Sequence, residues 1–166
     1  AGVYDDVIFD AALATGASAP AGRDCSADAE LKSFVVGEAY ASDIASSGTY
    51  LQIEATDCTI NAVAGQNLYL HGIGTDGLQN LTVLDAGTHL YLKGRTEVVQ
   101  ILKGTVEYAA SAVITELNIG YVFDQDNDVT LTLGATMTLP TSIVCGGGNI
   151  TCNTAVTTLR VNGGNW

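Results

Sequence analysis

Three aspartates at alternate positions, Asp124, Asp126 and Asp128, form the densest cluster of oxygen ligands in this 166-residue chain. A hard cation such as calcium needs several oxygens, and a D-x-D-x-D loop supplies them. An EF-hand would require glycine at the sixth loop position and an acid at the twelfth. Val129 and Ala135 stand there, which excludes that motif. A solvated acidic loop is the simpler expectation, with calcium on Asp124, Asp126 and Asp128 as the alternative. Asp5, Asp6 and Asp10 make a second acidic group, but they alternate with Val3, Ile8 and Phe9, as outward-facing residues of a strand would.

Nucleophilic and acid–base chemistry find little support. His71 and His89 are the only histidines, neither follows a serine or cysteine elbow, and no G-x-S-x-G is present. Glu107 and Glu116 fall on strands of neighbouring rungs, so an acid pair of the glycosidase type has to be considered. Both occupy outward positions without an aromatic platform, and a solvated face is the expectation. The chain is therefore expected not to be an enzyme and to hold no resident cofactor. The four cysteines, Cys25, Cys58, Cys145 and Cys152, allow three complete pairings. Cys145 and Cys152 frame VCGGGNITC, where a three-glycine bend brings a disulfide within reach; small buried core residues are the equal alternative. No CxxC or Cys/His cluster points to zinc.

The elements that position these residues are strands. Apolar residues make up 47% of the chain and charged residues 14%, against about 25% in ordinary globular domains. Glycine (19) is frequent, proline (2) scarce, and threonine and valine favour pleated backbone. With 18 acidic and six basic residues, the net charge of −12 repels phosphate backbones and anionic lipid. Nucleic-acid partners and membrane insertion are accordingly not expected, and no stretch reaches the ~18 apolar residues of a spanning helix.

Two interleaved strand series recur. In the first, LKSFVVG, LQNLTVLDAG, EVVQILKG, ITELNIG and TTLRVNG carry Phe34, Leu81, Val99, Leu117 and Leu159. These stand 47, 18, 18 and 42 apart, the first and last gaps read as two turns each. In the second, Leu68, Leu90, Val106, Leu131 and Ile150 are 22, 16, 25 and 19 apart. Sandwich strands do not repeat at one fixed long period, whereas solenoid rungs do. The fold predicted is all-β: a single-stranded, right-handed parallel β-helix with irregular rungs of about 18–22 residues. Stacking Leu68 on Leu90 aligns Tyr69 with Tyr91 in an outward aromatic ladder, suited to a glycan or subunit contact or to plain cross-rung packing.

Residues 121–130 read as a corner loop bulging from one rung, and residues 43–49 as another looser region. Residues 1–30 differ in character and read as a cap or attachment segment, with the solenoid domain over 31–166. From Val129 to Trp166 the only charged residue is Arg160, which suggests continuation of the solenoid in a longer chain or a covering neighbour.

TTLRVNGG (157–164), ITELNIG (114–120) and the opening YDDVIFDA (4–11) resemble segments of phage and phage-related virion proteins with β-helical repeats, and also secreted passenger-like solenoids. The resemblance implies a structural virion role, capsid decoration or a tail appendage. It implies copies of the chain and other virion proteins as partners, with the virion surface or the extracellular space as the location. A secreted adhesin or filament subunit that contacts cell-surface glycan is the alternative, and a carbohydrate-active β-helix enzyme a more distant one.

Overall fold

The computed structural model describes residues 6–9, 31–63, 66–120, 129–140, 143–155 and 158–161. Among these residues there are thirteen strands and no helix. In chain order they are β1 (Asp6–Phe9), β2 (Leu31–Val36), β3 (Leu51–Ile53), β4 (Ala55–Asn61), β5 (Asn67–Gly72), β6 (Leu78–Asp85) and β7 (His89–Ile101). There follow β8 (Gly104–Tyr108), β9 (Val113–Ile119), β10 (Val129–Leu133), β11 (Ile143–Cys145), β12 (Asn149–Cys152) and β13 (Leu159–Val161).

Strand pairing sorts them into two walls, every ladder between named strands being parallel. The first wall runs β1, β2, β4, β6, the second half of β7, β9, β11 and β13. The second runs β3, β5, the first half of β7, β8, β10 and β12. The chain alternates between walls once per coil, so each strand finds its hydrogen-bonding partners one coil above and one below. This is a parallel β-solenoid, consistent with the right-handed type.

Both series read from the sequence are columns of this stack. Phe34, Cys58, Leu81, Val99, Leu117, Ile143 and Leu159 are register partners in turn, so Cys58 and Ile143 fill the two double-length gaps. Leu68, Leu90, Val106, Leu131 and Ile150 form the matching column on the second wall. Alternation then points every second side chain inward. Phe34, Cys58, Val99, Leu68, Leu90, Val106 and Leu131 are all fully buried.

Coil length varies more than the repeat read from the sequence. Successive members of the first column stand 24, 23, 18, 18, 26 and 16 apart. The first long step has a visible cause. Ile44 bridges Leu68 and Leu51 pairs with Leu70, so residues 45–50 are an excursion opposite the single residue Tyr69. This is the looser 43–49 region of the sequence. The longest step, from Leu117 to Ile143, contains 121–128, which follows β9 and precedes β10 and lies outside the described residues. β1 pairs in parallel with β2 and so adds a strand to the first wall; the rest of 1–30 lies outside the described residues.

The corners are tied by specific polar contacts. The ladder slips between Ile60 and Asn61, leaving Leu84 as an extra, exposed residue and turning Asp85 inward. Its Oδ1 accepts the Gly87 N–H (2.9 Å) and its Oδ2 accepts the Lys103 ammonium (2.6 Å), so the buried carboxylate is paired. The Glu54 carboxylate accepts the backbone N–H groups of Thr75 (3.1 Å) and Asp76 (3.4 Å), pinning the next coil's turn to its own. Inside the solenoid the Thr96 and Tyr108 hydroxyls meet at 3.2 Å, which satisfies two polar groups in an otherwise apolar interior.

Candidate surface site on the second wall

The outward face of β5 and β7 gathers both histidines and three of the tyrosines. In register, Tyr69 faces Tyr91, His71 faces Lys93 and Asn67 faces His89. The Tyr69 and Tyr91 rings are stacked, 4.5 Å between centroids and 2° between planes. The expected aromatic ladder is therefore formed. His89, two residues before Tyr91 on the same face, stacks on it at 3.9 Å and 8°. Those centroid distances are too short for Tyr69 and His89 to sit side by side on one face of Tyr91. Tyr91 is thus sandwiched between them.

Both ends of the column are closed. Tyr50, at the return of the 45–50 excursion, meets Tyr69 edge-on at 5.6 Å and 84°. The Lys93 ammonium lies 4.1 Å from the Tyr50 ring centroid, a cation–π contact. At the other end Glu107, the register partner of Tyr91 on the next coil, has its carboxylate 3.6 Å from His89 Nε2. That separation is too long for a hydrogen bond, and Nε2 has no hydrogen-bond partner among the described residues. The contacts run Lys93, Tyr50, Tyr69, Tyr91, His89, Glu107, with Lys93 reaching back from β7 to Tyr50.

Burial and neighbours set the protonation of this face. Burial lowers the His71 pKa below the ordinary imidazole value, and the neighbouring Lys93 cation lowers it further. Burial also lowers that of His89, while the Glu107 carboxylate opposes the shift. Tyr50 and Tyr91 are pushed up, first by burial and then by neighbours that include Glu107 and Tyr69. These directions favour the uncharged forms of His71, His89, Tyr50 and Tyr91.

The arrangement offers ring edges and hydroxyls to solvent, because much of the ring-face area is spent within the stack. Tyr91→Leu removes the middle ring and both of its stacking contacts. It should destabilise the chain by about 1–3 kcal/mol in urea titration; a change below ~0.5 kcal/mol would mean that the stacking contributes nothing.

The candidate acid pair, Glu107 and Glu116, does not converge. Glu107 is on the second wall, paired with Tyr91 and Thr132, whereas Glu116 is on the first, paired with Val98. They lie on adjacent coils but on different faces. Asp124, Asp126 and Asp128 lie outside the described residues, as do Asp5, Asp10 and Cys25. Asp6 accepts a hydrogen bond from the Ser33 hydroxyl on the next strand (2.7 Å). Cys145 and Cys152 are free thiols on different walls. Cys145 continues the buried column Ile101, Ile119, while Cys152 stands over Leu133 and is exposed. The Cys145 thiol donates to the Gly147 carbonyl (3.3 Å) and the Cys152 thiol to that of Thr154 (3.1 Å). Cys58 is fully buried and its thiol is pushed far above the ordinary range by desolvation, a packing role.

Sequence reasoning missed Tyr50 and the stacking of His89. Tyr50 reaches the column by an aperiodic excursion, which register arguments do not follow. The His89/Tyr91 spacing of two residues on an alternating strand was the available signal for the second. No protein-family model matches the chain, and neither the curated proteins nor the solved structures yield a match.

Proposed function

We propose that this chain is a non-catalytic structural protein of a virion surface, a capsid decoration or tail appendage, acting through packing against its own copies and other virion proteins. The observation that carries the reading is the continuous parallel register of the first wall, strand to strand from β1 to β13. Such a stack is a rigid post with flat sides, and its outward residues recur in columns that another flat surface can match. The likeness of its glycine- and threonine-rich rungs to virion solenoids supports the same reading. The net charge of −12 argues against nucleic acid as the partner. No cofactor is needed for this role, and calcium on Asp124, Asp126 and Asp128 would serve only to brace a loop.

A secreted adhesin or filament subunit is the second reading. The tyrosine-lined second wall favours it, since ring edges and hydroxyls suit contact with a cell-surface glycan. Mass spectrometry of purified particles from the source separates the two. Recovery of the chain at the abundance of a repeated subunit is the expected result. Absence from particles together with recovery from the secreted fraction would overturn the virion reading in favour of the adhesin. Cleavage of an acidic polysaccharide by the purified chain would overturn both.

A further inference from the structure

We propose that residues 45–50 form an acid-released strap: Lys93 latches Tyr50 over Tyr69 while His71 is neutral, and protonation of His71 frees it. This goes beyond the structural role proposed above and does not depend on which partner the chain has.

The strap is anchored at both feet and loose between them. At one foot the Ile44 N–H donates to the Asn67 carbonyl (3.0 Å) and the Tyr69 N–H donates to the Ile44 carbonyl (3.0 Å). Asp43 Oδ1 accepts the Asn67 N–H (2.7 Å) beside them. At the other foot Leu51 enters the ladder opposite Leu70. Between the feet, backbone hydrogen bonds join Ser46 and Thr49 to each other, and residues 46–49 are exposed. The chain leaves the wall at Ala45 in the left-handed region, φ 61°, a conformation costly for a residue with a Cβ. Few buried contacts and self-contained hydrogen bonds are what a locally opening segment has. Ala45 is partly buried against the core, and the Tyr50 ring packs on Tyr69.

That ring is held by Tyr69 at its edge and by the Lys93 ammonium at its face. Lys93 is also the register partner of His71. The charged and titratable groups facing this cluster are His71, Lys93, Tyr50, Tyr69, Tyr91, His89 and Glu107. With His71 neutral, Lys93 is the cation beside the Tyr50 ring. A proton on His71 sets two cations on paired positions of adjacent strands, an arrangement that is unfavourable across a ladder. The His71 pKa is lowered in the latched form by burial and by Lys93. Moving Lys93 away relieves the second cause, so the open form binds the proton more tightly. By linkage the latched form dominates above the His71 pKa and loses ground as the pH falls through it. Opening removes the edge-on contact between Tyr50 and Tyr69. His89 sits beyond Tyr91 and does not adjoin the latch.

The test is an NMR titration of the full chain from about pH 7.5 to about pH 4.5, across the ordinary imidazole range. The Lys93 ε-methylene protons, over the Tyr50 ring, should resonate upfield at neutral pH, and Tyr50→Leu should abolish that displacement. On acidification most of it should vanish with the midpoint of the His71 ring signals, below ~6.5. His71→Gln should remove the transition and His89→Gln should keep it. Lys93 and Tyr50 signals that stay fixed while His71 titrates, or a transition surviving in His71→Gln, would overturn the proposal. Should the substituted chains fail to fold, the unsubstituted chain decides alone: a midpoint that follows His89 or the carboxylates instead of His71 also overturns it.

Discussion

Leu90→Ala should lower the unfolding free energy by about 3–5 kcal/mol, the upper part of the range for buried leucine truncations. Leu90 is fully buried and lies between Leu68 on one coil and Val106 on the next, in the middle of the second wall. Neighbours fixed in two ladders cannot collapse into the space left behind. The lost transfer energy is therefore joined by the full cost of a cavity. Stability in a solenoid is a sum over coils and their interfaces, so damage at a central interface divides the stack instead of fraying one end. Val98→Ala on the same strand β7 is the control: Val98 faces outward and is 38% exposed, and the change should stay within about ±0.5 kcal/mol. Denaturant titration of both variants by circular dichroism gives the comparison. A Leu90→Ala loss no larger than that of Val98→Ala would contradict the inward assignment of the column.

Gly94→Ala should be nearly as damaging, at about 2–4 kcal/mol. Gly94 is the point where β7 turns from the second wall to the first, and its φ is 78°. A Cβ built there would fall on the Gly72 carbonyl oxygen and against the His71 ring. The backbone oxygen belongs to the coil next to it and cannot move without shifting that coil. Left-handed strain and backbone collision therefore add. Gly48→Ala, at the tip of the strap, meets nothing within 4 Å and should be neutral or stabilising by up to about 1 kcal/mol. Melting temperatures of the two alanine variants should bracket the parent chain; equal shifts would show that the corner does not require glycine.

How much of this was readable in the residues depends on what each residue answers to. Phe34, Leu81, Val99, Leu117 and Leu159 share a column, and so do Leu68, Leu90, Val106, Leu131 and Ile150, because inward positions must be apolar on every coil. Tyr69 over Tyr91 followed from the same register. Cys58 and Ile143 escaped the first column because a cysteine at a core position, and a short strand after a proline, carry little periodic signal. Corner residues answer to local geometry instead. Nothing periodic marks Asp85 as the carboxylate that the Lys103 ammonium neutralises, or Tyr50 as the ring that closes the aromatic column. Glu107 and Glu116 looked like neighbours because coil order was readable before wall membership was.

β7 is one extended strand of 13 residues whose two halves belong to different walls. Only Glu54 separates β3 from β4, whereas turns at 73–77 and 109–112 carry the chain from β5 to β6 and from β8 to β9. A pull on the Tyr91 side of β7 therefore passes through the Gly94 corner to the Val99 side with no loop between them. The chain is accordingly stiffer against shear at the β7 crossing than at the crossings made by residues 73–77 and 109–112.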